Sequence, residues 1–280
     1  MPFCSCEEVR IYFEVHGEGA PLMLISGLSG GVSSWYGQVP FFAERYRTIT
    51  FDNRGAGRSD MPPGPYAMRQ FAEDALCVLD HLGIERALIM GLSMGGMIAQ
   101  ELALLAPSRI MALALGCTHH GGEHRVGPSR EVMAVLVNND GLTQDQIVEK
   151  NLPIFLSRRF LTGEPHEVAL YRRAQLSTEL QPESAFHAQL AAIVGFDSKE
   201  RLGSLTAPAL IITGTEDLLV PKENAHLLAA AMPEAELVEI PGAGHALHAE
   251  CRDLLNELVH RFFQRILSEG QEPATEQNPG

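Results

Sequence analysis

Ala87-Leu88-Ile89-Met90-Gly91-Leu92-Ser93-Met94-Gly95-Gly96 is the stretch on which the reading of this chain turns. Four apolar residues read as a buried strand, and Met97 to Ala106 reads as a helix stopped at Pro107. Between them, Gly91-Leu92-Ser93-Met94-Gly95 fits a Gly-x-Ser-x-Gly turn that lifts a serine hydroxyl out over a sheet edge, with a helix N-terminus beneath it. The same spacing recurs at Gly27-Leu28-Ser29-Gly30-Gly31. There Gly30, Gly31 and β-branched Val32 make a poor helix start, so Ser29 is assigned to a loop and Ser93 is the candidate nucleophile.

Outward from that turn, residues 1–118 alternate short apolar runs with helical stripes, the pattern of βα units on a parallel sheet. Strands are expected at Arg10 to His16, Leu22 to Ile25, Thr48 to Phe51, Ala87 to Met90 and Ile110 to Leu115, and a helix at Phe71 to Leu82, ended by Gly83. Over 119–203 the strand signal gives way to amphipathic pieces such as Arg130 to Val137 and Glu167 to Leu176, which read as a helical insertion. Strands return in 204–267, at Ala209 to Thr213 and Ala235 to Ile240, with helices near Asn224 to Met232 and Asp253 to Ile266. Residues 268–280 hold no apolar side chain except Ala274 and are expected to be a disordered tail.

Serine is a weak nucleophile at neutral pH and needs an imidazole to take its proton and a carboxylate to orient that imidazole. His245, in Pro241-Gly242-Ala243-Gly244-His245, follows the strand ending at Ile240 and is the favoured base, with His248 as rival on the next helix. Asp217, just after the run Ala209 to Thr213, is the favoured acid, with Glu216 beside it. His119, His120 and His124 also follow a strand, but adjacent histidines rarely share one tetrahedral metal, so pocket lining is the better reading. The developing oxyanion needs two backbone N–H donors, assigned to Leu28 and Met94.

The remaining composition narrows the classes of partner. The formal net charge of −14 disfavours nucleic acid and anionic membrane surfaces. The N-terminal residues lack the basic and apolar regions of a secretory signal, and no run approaches the roughly 18 apolar residues of a membrane span. A cytoplasmic protein acting on a small molecule, without cofactor or metal, is expected. The five cysteines, at 4, 6, 77, 117 and 251, are an odd and scattered set and read as free thiols.

With these residues in hand, the chain resembles the α/β-hydrolase superfamily. The order Ser93, Asp217, His245 is that of the superfamily, and Asp52-Asn53-Arg54-Gly55-Ala56-Gly57-Arg58-Ser59 is similar to its Asp-x-Arg-Gly-x-Gly-x-Ser segment. Ser26-Gly27 stands where members usually carry His-Gly. The resemblance is nearest to enol-lactonase-like esterases, homoserine-lactone lactonases and cofactor-free haloperoxidase-like members. It implies a mostly parallel eight-stranded sheet flanked by helices, with 119–203 as a helical cap. It also implies hydrolysis of a carboxylic ester or lactone through an acyl-enzyme. Dehalogenases and epoxide hydrolases of this fold carry an aspartate at the turn, which Ser93 argues against. A C–C bond hydrolase, or a ligand sensor with slow turnover, are the alternatives. Leu28, Trp35, Leu92, Met94 and Leu219 suggest an apolar substrate arm, with Trp35 and Leu219 as candidate binding residues.

Overall fold

The computed structural model describes residues 2–269. Its eight strands are β1 (Phe3–Cys6), β2 (Val9–His16), β3 (Ala20–Ile25), β4 (Tyr46–Phe51), β5 (Ala87–Leu92), β6 (Ile110–Gly116), β7 (Ala209–Gly214) and β8 (Ala235–Ile240). They form one sheet in the order β1-β2-β4-β3-β5-β6-β7-β8. The pairs β1/β2 and β2/β4 are antiparallel, and every later pair is parallel. The helices are α1 (Val39–Phe42), α2 (Met68–His81), α3 (Met94–Leu105), α4 (Arg130–Val137), α5 (Gln144–Phe155), α6 (Arg158–Gly163), α7 (Pro165–Ser177), α8 (Glu183–Val194), α9 (Glu223–Ala231), α10 (Leu247–Glu250) and α11 (Arg252–Glu269).

Apolar runs with no polar alternation become central strands because both sheet faces are covered. In β3, Met23 and Ile25 point into one core with Phe71, Leu79, Ile98 and Leu102. Leu22 and Leu24 point into the other, with Phe42, Leu255, Val259 and Phe263. All six residues of β5 and of β7 are buried. Helices α2 and α3 therefore cover one face, and α1 and α11 the other.

Helices α4 to α8 lie between β6 and β7, with no strand among them. Their packing is looser: α4 has no fully buried residue, and α5 buries only Leu152 and Ile154. The last helix runs on to Glu269, so Ser268 and Glu269 extend it, and the rest of the expected tail lies outside the described residues.

One expectation is corrected. Cys4 and Cys6 alternate on β1 so that both face the core, where Cys6 meets Cys77 of α2. Cys6 and Cys77, separated by 71 residues, are joined as a disulfide, which leaves Cys4, Cys117 and Cys251 as free thiols. The first strand had no signature that could reveal a partner one helix away.

Candidate active site

The parallel register lines up strand ends at one edge: Ile25 beside Gly91, Leu92 beside Gly116, and Gly214 beside Ile240. Each chain segment that leaves this edge carries a candidate site residue. Loops at the carboxyl ends of parallel strands are where sheets of this kind build sites, because helix N-termini and free amides converge there.

Ser93 sits at φ 57° and ψ −121°, in the left-handed half of the map that an L-residue adopts only under constraint. The constraint is visible around it. The Ser93 amide donates to the Gly116 carbonyl at 2.8 Å, and the Thr118 hydroxyl donates to the Ser93 carbonyl at 2.8 Å. The turn also needs bare backbone beside it. A Cβ on Gly95 would lie 1.9 Å from the Ile25 carbonyl oxygen, and one on Gly91 would lie 2.2 Å from that of Gly95. Ser29 is a loop residue, as expected, and its hydroxyl donates to Gln181 Oε1 at 2.5 Å while its amide donates to Gln189 Oε1 at 3.0 Å.

Asp217 and His245 meet directly, with 2.8 Å between His245 Nδ1 and Asp217 Oδ2. The carboxylate accepts, so the shared proton belongs to Nδ1, and Nε2 is the ring nitrogen that faces away from Asp217. Asp217 Oδ1 accepts from the Leu219 and Val220 amides, both at 2.9 Å, which fixes the carboxylate's orientation. Both side chains are buried. Glu216 is exposed, and its side chain is not hydrogen-bonded to His245.

Met94 follows Ser93 in the chain, and Leu28 follows Gly27, which packs against Ser93. Position 27 lies so close that a Cβ there would meet Ser93 Cβ at 3.1 Å. Met94 opens α3, where an amide has no carbonyl one turn back within the helix, and among the described residues the Leu28 amide has no hydrogen-bond acceptor. Ser26, in place of the usual histidine, closes its own loop by donating to the Gly30 carbonyl at 2.9 Å. The Asp52 segment supports this loop: Asp52 Oδ1 accepts from the Val32 amide at 2.7 Å, and Asn53 Nδ2 donates to the Ser26 carbonyl at 3.0 Å.

Ser93 and His245 open into a cavity of about 900 Å³ between the sheet edge and α4 to α8. Trp35, Leu28, Leu92, Leu219, Met133 and Phe155 are among its apolar lining residues. Trp35 is 1% exposed and belongs both to the core and to this wall. Leu219, whose amide donates to Asp217, also lines the cavity.

Several participants had no local sequence signature. Phe155, at the end of α5, stands edge-on to His245 with ring centroids 5.5 Å apart, and its carbonyl accepts from the Ala246 amide at 2.8 Å. Glu250 accepts from the Ser157 amide at 2.9 Å and the Gly244 amide at 3.2 Å, joining the insertion to the loop that carries His245. Cys117, at φ 47°, packs with its sulfur within 4.8 Å of the Asp217 and His245 ligand atoms, and complete burial pushes its thiol well above the usual range.

The three histidines after β6 separate. His119 lines the cavity, and its Nδ1 accepts from the Gly121 amide at 3.0 Å. Burial, with Arg125 and His120 nearby, pushes its pKa down to about 3, so it is a neutral ring with its proton on Nε2. His120 turns to the Gly121 carbonyl at 2.8 Å, and His124 is exposed beside Glu123. Among the described residues these three gather no metal-ligating cluster, and no helix is long and apolar enough to cross a membrane.

Comparison with known proteins agrees with this fold. The sequence profile of the alpha/beta hydrolase fold matches residues 20–250. The chain is 30% identical over 266 residues to RutD of Azorhizobium caulinodans, whose name assigns it provisionally as a carbamate hydrolase; the match covers 95% of this chain and 99% of that one. Among solved structures, the enol-lactonase of Burkholderia xenovorans LB400 superposes with a TM-score of 0.83 at 28% identity, covering 94% of this chain and all of that one. An enzyme described as degrading N-acyl homoserine lactones superposes with a TM-score of 0.81 at 32% identity, covering 93% of this chain and 100% of that one. The chain belongs to the α/β-hydrolase superfamily, and the lactonases it resembled in sequence are among its structural neighbours.

Proposed function

We propose that this hydrolase cleaves a carboxylic ester or lactone through an acyl-enzyme on Ser93, with His245 as base and Asp217 as its orienting carboxylate. The observation that carries the reading is the 2.8 Å His245–Asp217 contact, which turns Nε2 away from the carboxylate on a residue that lines the same cavity as Ser93 in its strained turn.

In the first half-reaction, Ser93 Oγ bonds to the substrate carbonyl carbon as its proton passes to His245 Nε2. The Leu28 and Met94 amides receive the negative oxygen. The C–O bond to the alcohol then breaks, and Nε2 returns the proton to the leaving oxygen. A lactone yields a tethered alcohol by the same steps. In the second half-reaction, water loses a proton to His245 and attacks the acyl carbon, and the proton goes back to Ser93 Oγ as the acid departs.

A carbamate, the class in the RutD name, also offers a carbonyl to this nucleophile. The large and mainly apolar cavity favours an ester or lactone with a hydrocarbon arm over a small polar carbamate. The test is steady-state hydrolysis of nitrophenyl esters, acyl lactones and a phenyl carbamate by the unaltered protein and by Ser93→Ala. The expected result is turnover of esters or lactones that disappears in the variant. Carbamate turnover exceeding both, or no turnover of any, would replace this reading with the carbamate, C–C hydrolase or sensor alternative.

A further inference from the structure

Gly27-Leu28-Ser29-Gly30-Gly31, the second Gly-x-Ser-x-Gly segment, carries the Leu28 amide and is held in a turn that its own residues disfavour. The Gly30 amide donates to the Gly27 carbonyl at 3.1 Å, which closes a four-residue turn with Leu28 and Ser29 at its centre. Ser29 stands at φ 61°, while Leu28 keeps a negative φ. Positive φ at the second central residue alone is the type II pattern, which glycine or asparagine adopts readily and serine does not. Contacts from outside the turn therefore hold it.

Two glutamines of the insertion meet this one serine. Gln189, buried on α8, accepts from the Ser29 amide at 3.0 Å and donates to the Arg54 carbonyl at 2.8 Å. Gln181, between α7 and α8, accepts from the Ser29 hydroxyl at 2.5 Å and donates to the Gly55 carbonyl at 2.5 Å. Both side-chain amides are used at both ends, and flipping Gln189 would set its N–H against the Ser29 N–H and its oxygen against the Arg54 carbonyl. The far ends rest on consecutive residues of a fixed segment, since Arg54 is paired with Asp74. The Ser29 N–H belongs to the central peptide of the turn, and rotation of that peptide separates type II from the type I form that serine favours. Such a rotation changes ψ of Leu28 together with φ of Ser29, so the two glutamines restrain Leu28 as well.

We infer that Gln189 and Gln181 are positioning residues for the oxyanion donor at Leu28: braced on Arg54 and Gly55, they hold the Ser29 turn in its type II form and keep the Leu28 amide directed at the charge that develops beside Ser93. The inference rests on the proposed acyl-enzyme reaction and gives the insertion a second task, since it shapes the cavity and also completes the reacting geometry. Both glutamines act through Leu28. Loss of the brace lets the turn relax toward serine's own preference, and a displacement of about 1 Å at a reacting group can cost about 100-fold in rate. The cost falls on the transition state, because the negative oxygen forms only there.

The test compares the unaltered protein with Gln189→Leu, Gln181→Ala, Ser29→Ala and the pair Ser29→Ala with Gln181→Ala on nitrophenyl esters of short and long acyl chains. Gln189→Leu is expected to lower kcat by about 10- to 100-fold on every ester, with KM changed by less than about twofold, since an oxyanion donor lost outright costs about 100- to 1,000-fold. Gln181→Ala and Ser29→Ala, at half-buried positions, should each lower kcat by about threefold, and the pair by no more than either alone, because they remove the two ends of one hydrogen bond. These variants carry the test if Gln189→Leu does not fold. The readout specific to the oxyanion is inhibition by benzyl trifluoromethyl ketone, whose carbonyl carbon takes Ser93 Oγ while its oxygen becomes the anion and the serine proton passes to His245. Its Ki should rise in step with the fall in kcat in each variant, while that of benzyl methyl ketone, which binds without adding, stays constant. Unchanged kcat in all variants, or an equal weakening of both ketones, as a merely loosened insertion would give, overturns the inference with the ester reaction intact. An unaltered protein that hydrolyses no ester and binds both ketones alike removes the proposed reaction, and the inference with it.

Discussion

The sheet edge and the helical insertion above it are built from the same chain by opposite rules. At the edge, strands such as β5 and β7 are buried along their whole length and fix Ser93, Asp217 and His245 by backbone hydrogen bonds and register. In the insertion, amphipathic helices such as α4 are half-buried and face a cavity on one side. The difference teaches a division of labour. On the proposed reading, the rigid edge holds reacting groups in place, where small misplacements are costly, and the insertion shapes what can reach them. The two regions are joined at several points, among them Phe155 against His245, Ser157 against Glu250, and Gln181 and Gln189 against Ser29.

Disrupting the edge should produce the largest effects. Ser93→Ala is expected to reduce kcat by about 10⁴-fold or more with little change in melting temperature, measured by steady-state assay and thermal denaturation. Asp217→Asn should cost about 10³- to 10⁴-fold, because an amide can hold His245 in the wrong tautomer. A smaller loss than that for Asp217→Asn would mean that another group orients the imidazole.

The comparison sharpens if stability and activity separate. Arg54 and Asp74 form a buried bidentate pair at 2.6 and 2.7 Å, away from the cavity lining. Arg54→Leu leaves the carboxylate unpaired and should cost about 3–5 kcal/mol of stability in denaturant titration, with kcat per folded molecule maintained. In the insertion, Met133→Ala or Leu136→Ala should alter kcat/KM between short and long acyl chains by about tenfold or less, since one or two methylenes of contact are at stake. An equal loss for every substrate would show that these helices serve the reacting groups themselves.

The gentlest probe is pH. His119 and His248 are held neutral in the fold, at about 3 and about 4, against an ordinary value of 6.5. The unfolded chain therefore binds more protons below pH 6.5. Their contribution is fully present above that pH and is lost progressively as pH falls toward 4. Melting temperature should decline over this window, and His248→Phe should flatten the decline. A steeper decline in the variant would contradict the neutral assignment.

Much of the edge was legible because its signals are local. Strand, tight turn and helix occur within twenty residues around Ser93, and Asp217 and His245 each follow an apolar run by a few positions. Two helices of the insertion were legible as amphipathic stripes, Arg130–Val137 to the residue and Glu167 to Leu176 within α7. The insertion's contacts were not, since nothing near Phe155 or Glu250 announces a partner 90 residues away. Cys6 and Cys77 failed for the same reason, being neighbours only after α2 docks on β1. The unpartnered nitrogens of His248 are also a tertiary property, because the sequence offered that histidine only as a rival base.

The most direct test of the central claim is rapid-quench mass spectrometry of the protein mixed with a nitrophenyl ester, followed by proteolytic mapping of the adduct. The account predicts a transient acyl group on Ser93, in the segment spanning Gly91 to Gly95, and none on Ser29 in the matching motif. An adduct on Ser29, or ester turnover with no covalent intermediate under conditions that accumulate one, would contradict it.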